Sequence, residues 1–296
     1  MISILIPVYN FDISPLIKNL YKQVQDLKVE AEIIIYDDHS KFFAQKNENV
    51  AKTYGLEYKY LDKNMGRSKI RNLLAQQSKY TYLLFLDCDV MPESNSFLEN
   101  YIHNISNNTQ VIYGGRKHIY SDNNKNKLRW KYGHYKEDKS ALSRQKQPYL
   151  SIITNNLLVE RDLFNKIKFD ESLKTYGCED LLFGQELKAV QAKVQHIKNP
   201  VIHNQIDSNK EFLIKTKQAW RNLVYLENQN LIPHNLRPIQ RLYLKLEKFK
   251  LTTFCNWLYM RFNAFLTKTL TRQNTSLLCF DLYRILYFCH LKQAQK

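Results

Sequence analysis

Tyr82-Leu-Leu-Phe-Leu-Asp-Cys-Asp89 is the stretch that decides the fold. Its first five residues are bulky and uncharged, the pattern of a strand buried on both faces at the centre of a parallel sheet. The abrupt change to carboxylates marks the strand's carboxyl end, where open α/β sheets bind their ligands. Two earlier runs end in the same way. Ile2–Val8 leads into Tyr9-Asn10, and Ile33–Tyr36 leads into Asp37-Asp38-His39-Ser40. One polar cluster after a strand is an ordinary turn. Three at corresponding ends point to a single crevice.

Helical patterns alternate with these runs. Leu16, Leu20, Val24 and Leu27 share one face of a helix expected over Ile13–Leu27, and Ser68–Gln77 and Ser94–Ile105 read as two more. Glu57–Leu61 and Gln110–Tyr113 read as further strands. Beyond them come a strand within Ser151–Val159, a helix over Arg161–Lys166 and a helix over Leu181–Val190. Strands at Val194–Ile197 and Val201–His203 precede a long helix from Ser208 to about Asn228. The alternation predicts an α/β fold with a mixed, mostly parallel sheet flanked by helices. Ser121–Gln147, with eight basic and three acidic residues, reads as an insertion or mobile loop. Its Trp130, Tyr132 and Tyr135 are either solvated or available to stack on a sugar. Pro233 and Pro238 punctuate a boundary between a domain over residues 1–232 and a tail over 233–296.

Composition narrows the function. Only 7 of 296 residues are Gly and no GxGxxG occurs, which excludes a dinucleotide fingerprint. The 5 Cys residues are scattered without a CxxC pair, so neither a disulfide framework nor a zinc finger is expected, and a reducing compartment is the simplest reading. No apolar run is long enough to span a bilayer, and MISILIPVYN reads as a strand rather than a signal peptide. Lys and Arg outnumber Asp and Glu by 44 to 28, giving +16. The tail alone holds 11 basic and 2 acidic residues, which suits an anionic partner: a membrane surface, a nucleic acid or a phosphorylated substrate. Ile239, Leu242, Leu246 and Phe249 form an apolar stripe beside Arg237, Arg241, Lys245 and Lys248. That is the pattern of an interfacial membrane helix, or of a helix packed on the catalytic domain with a solvated basic face. Leu277–Phe288 is apolar but is broken by Asp281 and Arg284.

Asp87 and Asp89 have a clear chemical use. Carboxylates two positions apart on an extended segment face the same side and can hold one divalent cation, Mn²⁺ or Mg²⁺, with diphosphate oxygens completing the shell. Glu179-Asp180 opens a helix, where the dipole favours an ionised carboxylate suited to act as a base. The preceding Gly177 permits close backbone approach.

Five motifs occur in order: Ser3-Ile-Leu-Ile-Pro-Val-Tyr-Asn10, Tyr36-Asp-Asp-His-Ser40, Asn64-Met-Gly-Arg-Ser-Lys-Ile-Arg-Asn72, Phe85-Leu-Asp-Cys-Asp89 and Tyr176-Gly-Cys-Glu-Asp180. Together they resemble the family 2 glycosyltransferases, inverting enzymes of the GT-A, Rossmann-like fold. The last two motifs are most similar to the transferase modules of bacterial chondroitin and hyaluronan polymerases. The resemblance covers roughly residues 2–230. It implies a metal-dependent transferase moving a sugar from a UDP-sugar to a hydroxyl of a glycan or lipid-linked glycan, in surface-polysaccharide assembly. Such an enzyme would be cytoplasmic, at the inner face of a bacterial plasma membrane. Pro7 and Tyr9 would border the uridine, Asp38 would accept from the uracil ring, and Asn64 and Arg71 would lie by the nucleotide. Asp87 would face ribose and metal, Asp89 would ligate the metal, and His203 would be a third ligand. Asp180 would be the catalytic base beside Glu179, which would help hold the acceptor. Asn155, Asn156 and Tyr176 would line the sugars. Two alternatives stand beside this one. A nucleic-acid-binding protein would use the basic aromatic tail, though no recognised motif supports it. A catalytically silent glycan-binding relative would not need Asp87, Asp89 and Asp180 intact.

Overall fold

The computed structural model describes residues 1–203 and 206–294. Gln295 and Lys296, the last residues of the expected tail, lie outside the described residues. The chain divides into two compact units. The first contains Met1–Ile119, Asp138–Lys174 and Glu179–Gln205; the second contains Tyr120–Glu137, Thr175–Cys178 and Ile206–Lys296.

The first unit is built on β1 (Ile2–Val8), β2 (Ala31–Asp37), β3 (Glu57–Tyr60), β4 (Tyr82–Leu86), β5 (Val90–Pro92), β6 (Val111–Tyr113), β7 (Arg116–Lys117), β8 (Asn156–Glu160), β9 (Val194–His196) and β10 (Val201–His203). Seven of these form one sheet in the order β3-β2-β1-β4-β8-β6-β9. All its pairings are parallel except those of β8, which runs antiparallel to both β4 and β6. β5, β10 and β7 make a smaller second sheet.

Strand alternation explains why the central runs are apolar at nearly every position. Ile2, Ile4, Ile6 and Val8 of β1 pack on one side with Leu16, Ile17 and Leu20 of α1 (Ser14–Asp26). Leu5 faces the other side, with Ile34, Tyr36 and the Ile70 and Leu74 side chains from a helix on that face. The odd residue, Ser3, is buried but satisfied: its hydroxyl donates to Glu32 Oε1 at 2.6 Å and accepts the Tyr80 N–H at 3.2 Å. Helices α2 (Ala44–Thr53), α3 (Arg67–Gln77), α4 (Phe97–Asn104), α5 (Leu128–Tyr132), α6 (Ala141–Gln145), α7 (Arg161–Ile167) and α8 (Glu179–Ala189) follow in chain order.

Register then positions the chemistry. Leu86 pairs with Asn156, so the antiparallel β8 brings its first residues to the carboxyl end of β4. His203 pairs with Val90, which sets it beside the turn that carries Asp89.

The second unit holds α5 and the helices α9 (Asn209–Asn228), α10 (Pro238–Lys248), α11 (Thr252–Thr271) and α12 (Leu277–Gln293). α9 starts at a capping box between Ser208 and Glu211. α11 and α12 pack on each other and on α9, and α10 packs on α12.

Ser121–Gln147, read as an insertion or mobile loop, has regular structure: it carries α5, a widened π turn over Gly133–Glu137 and α6. Trp130 is buried, stacked on His134 with ring centroids 4.7 Å apart, and Tyr132 meets Phe212 and Phe280. Apolar anchors among the charges order the segment. α10 turns only part of its apolar stripe inward. Ile239, Gln240 and Tyr243 are buried, whereas Leu242 and Phe249 are exposed. The reason is polar. Gln240 Nε2 donates to Glu227 Oε1 at 2.7 Å and to the Pro233 carbonyl at 3.0 Å, and Lys292 Nζ meets Glu227 Oε2 at 3.0 Å.

Gly114 sits at the end of β6 where strands and helices converge. A Cβ there would meet Asn199 O at 2.4 Å, Asn156 Nδ2 at 2.5 Å and Tyr101 Oη at 2.6 Å. Gly114→Ala is expected to destabilise the protein by about 3 kcal/mol through this overpacking. The check is a lowered urea midpoint at unchanged slope.

Candidate active site

Asp38 lies at the carboxyl end of β2, with both carboxylate oxygens turned to the loop before α3. Oδ1 accepts the Met65 N–H at 2.5 Å and Oδ2 the Gly66 N–H at 3.0 Å, while Asn64 Nδ2 donates to the Asp38 carbonyl at 3.1 Å. Gly66 has φ +82°, a conformation that favours glycine at the point where this loop enters α3. Burial pushes the Asp38 carboxyl upward against the pull of the two amides. The neighbouring Asp37 is fully buried and accepts from the Ser40 N–H at 2.7 Å and the Tyr58 hydroxyl at 2.8 Å. Asn10 ties the first crevice loop to the second, receiving the Lys41 N–H at 2.7 Å. Pro7 stands opposite Tyr36 in the β1–β2 register, and Tyr9 is exposed beyond it.

α3 contributes a buried cation. Arg71 is 2% exposed, and its Nη2 donates to Asp87 Oδ1 at 2.6 Å. Among the described residues its Nε and Nη1 have no hydrogen-bond partner. Burial disfavours the guanidinium charge, but Asp87, Asp180 and Glu179 outweigh it and raise the group above its ordinary value. Burial alone would raise the Asp87 carboxyl as well; Arg71 and Arg67 override it and hold Asp87 below the usual carboxylate range.

The extended strand stops at Leu86, before either Asp87 or Asp89. Cys88 and Asp89 form a tight turn between β4 and β5, so side-chain alternation ends at Leu86. Asp87 goes to Arg71, and Asp89 Oδ2 lies 3.3 Å from His203 Nε2. His203 stacks on His118 at 5.7 Å, and His118 Nδ1 is 2.7 Å from Asp138 Oδ1. Among the described residues no group of three or more His, Cys, Asp or Glu is clustered to hold a metal ion. A carboxylate and an imidazole at one point are nevertheless a donor pair suited to Mn²⁺, so Asp89 and His203 fit such an ion as two of its ligands.

Glu179 and Asp180 open α8. Glu179 is buried, with Arg67 Nη1 3.4 Å from its Oε1. Asp180 Oδ1 accepts the Thr154 N–H at 3.1 Å. Position in the first helical turn suggests an easily ionised carboxylate, yet burial and then the charge of Glu179 push Asp180 up to about 6. Desolvation wins here over the helix dipole.

Asn155 and Asn156 separate in role. Asn156 Nδ2 donates to the carbonyls of Gly115 and Asn199 at 2.8 and 2.9 Å, and its Oδ1 accepts the Tyr101 hydroxyl at 2.7 Å. Its side chain holds the sheet together. Asn155 is buried beside it, and among the described residues neither of its side-chain polar atoms has a partner. Tyr176 belongs to the second unit, where Lys215 Nζ lies 5.4 Å from its ring centroid. In that unit Gly177, at φ +96°, lies against Ala219, whose Cβ would be 2.6 Å from a side chain there.

Arg67, Thr154 and the Asp138–His118 pair are given no role in the reading of the sequence. Arg67 had a signal, standing one helical turn before Arg71. The Thr154 contact is made by backbone and leaves no trace in side-chain pattern.

The mixed, mostly parallel seven-stranded sheet flanked by helices is the GT-A fold. The chain belongs to glycosyl transferase family 2, whose model matches residues 3–168. It is 25% identical over 219 residues to the chondroitin synthase of Pasteurella multocida (strain Pm70), covering 61% of this chain but only 22% of that protein's length. Among solved structures, S. aureus TarS 1–349 in complex with UDP-GlcNAc has a TM-score of 0.54 at 18% identity, covering 99% of this chain and 91% of that one. The mannosyltransferase PcManGT from Pyrobaculum calidifontis, in complex with GDP-Man and Mn²⁺, has a TM-score of 0.57 at 10% identity, covering 99% and 86%.

Replacing Asp38 with Ala removes the acceptor of two loop amides, worth about 2–3 kcal/mol to the local structure. Hydrogen exchange at Met65 and Gly66 is expected to accelerate by at least about tenfold. Unchanged protection at both amides would show that the loop holds without the carboxylate.

Proposed function

We propose that this chain is a metal-dependent inverting glycosyltransferase that moves a sugar from a UDP-sugar to a hydroxyl of a glycan or lipid-linked glycan. The observation that carries the reading is one connected set of groups in the first unit. Asp38 orders the loop into Arg67, which pairs with Glu179; next to Glu179 is Asp180, whose charge is felt at Arg71, the partner of Asp87. The TarS complex favours a uridine donor, and the PcManGT complex favours a divalent cation.

The chemistry assigns each residue a task. Asp180, fixed by Thr154, takes the proton of the acceptor hydroxyl as its oxygen bonds to the anomeric carbon from the face opposite the departing UDP. The old bond from that carbon to the diphosphate breaks, and the electron pair leaves with UDP. Asp89 and His203, with Asp87 near the ribose, are the residues that would hold Mn²⁺ or Mg²⁺, whose Lewis acidity neutralises charge on a departing diphosphate. The unused donors of Arg71 add fixed positive charge there. Glu179 helps to hold the acceptor, and Pro7, Tyr9 and Asn64 shape the uridine pocket. Asn155 keeps an amide for the donor sugar, since a buried unpaired amide is costly unless a ligand completes it. Surface-polysaccharide assembly at the cytoplasmic face of a bacterial membrane accommodates both these groups and the basic tail.

Calorimetric titration with UDP, GDP and CDP tests the reading without knowledge of donor or acceptor. Manganese-dependent binding selective for UDP, lost in Asp89→Ala, is the expected result. Absence of nucleotide binding by the folded protein overturns it. With a UDP-sugar found by screening once UDP binding is established, transfer is expected to fall on the acid side with an apparent pKa of about 6, because the base works only when ionised. Glu179→Gln removes the neighbouring charge that raises Asp180, so the acid limb moves to lower pH. Asp180→Asn is expected to reduce kcat by about 10²–10⁴-fold while UDP binding persists.

A further inference from the structure

We infer that the outer face of α11 docks on an anionic lipid bilayer surface. This gives the membrane location in the proposed function a physical seat, and it rests on that reading only for its purpose. The inward side of α11 is defined by Thr252, Cys255, Tyr259, Leu266 and Leu270, all buried. Phe254, Trp257, Arg261, Phe265 and Lys268 follow one another at intervals of three and four on the opposite side, with Met260 at its margin. The four large apolar members are open to solvent: Phe254 is 55% exposed, Trp257 56%, Met260 66% and Phe265 67%. Phe254 and Trp257 stack on each other at 5.8 Å, presenting one aromatic plate.

Large apolar side chains gathered on one exposed helix face mark interaction sites. The charge pattern selects the occupant. Between Glu247 and Asp281 the sequence has no acidic residue, while Lys248, Lys250, Arg261, Lys268 and Arg272 fall in that interval. Cations interleaved with Trp and Phe on a helix that lies in the interface plane are the chemistry of an anionic lipid surface. A helix of 20 residues is about 30 Å long, enough to bring all of these side chains to the headgroup level together. No helix among the described residues is long and apolar enough to cross a membrane, so α11 would lie on the bilayer rather than through it. A nucleic-acid partner is disfavoured because apolar groups outnumber cations on this face and Met260 has no part in phosphate recognition.

Vesicle flotation tests this with the full chain, using phosphatidylcholine alone and phosphatidylcholine with phosphatidylglycerol. The expected result is flotation with the anionic vesicles only. Trp257→Ser with Phe265→Ser, and separately Arg261→Gln with Lys268→Gln, should each weaken partitioning on the order of tenfold. All four positions are solvent-exposed, so the variants should fold, and their UDP titration should match that of the unchanged chain. Failure of the unchanged chain to float, or equal flotation by both variants, overturns the inference even where UDP binds. So does a dimer in light scattering that Trp257→Ser with Phe265→Ser dissolves in the absence of lipid binding. Flotation without any UDP binding would leave the lipid face standing and remove the transferase reading instead.

Discussion

A guanidinium sealed from water has to be compensated, and the active-site end of the first unit is organised around that requirement at Arg71. Among the described residues it is bound directly by Asp87 alone, through Nη2; Asp180 and Glu179 act on it through space. Removing the partners of a buried charge costs several kcal/mol, so α3, the end of β4 and the start of α8 are held to mutually consistent positions. The same cation keeps Asp87 ionised while Asp180, farther along and beside another carboxylate, is left with a raised affinity for protons. Two carboxylates of one type thus acquire opposite proton affinities from their surroundings.

The second unit has a charge device of its own. Arg284 lies 5.1 Å from the ring centroids of Tyr132 and Trp220 and 5.4 Å from that of Phe280, and pairs with Asp281 at 2.9 Å. Glu227, 2% exposed, gathers Gln240 and Lys292. These contacts join α5, α9, α10 and α12 into a packed body. The basic tail is therefore ordered by buried aromatic and polar groups, and much of its charge is left for the surface.

The central strands were legible because burial on both faces forces an apolar residue at each step, as in β1 and β4. α2 was not, since its sequence AQKNENVAKT buries only Asn47 and Ala51 and shows no apolar stripe. β5 and β7, of three and two residues, are too short to carry a period. In α10 the inward face was not legible, because a polar Gln240 is buried by the hydrogen bonds it finds at Glu227, which no hydrophobic pattern encodes. Strand ends and motifs are what single out Asp38, Arg71, Asp87, Asp89, His203 and Asp180 as the residues proposed for the site. The different surroundings of Asn155 and Asn156 could not be read, because they depend on which residue meets Leu86 across the sheet and Tyr101 on α4.

β8 reaches β4 from about seventy residues further along the chain, and β10 reaches β5 from more than a hundred. The crevice is lined by these late arrivals as much as by the early parallel strands. On a ribosome, β1 to β4 are synthesised long before Asn155, Asp180 and His203 exist, so the sheet's central strand waits with one edge unpaired. Pairings of such sequence separation form slowly and expose edges meanwhile. The order of synthesis therefore makes the active site the last part of the first unit to be completed.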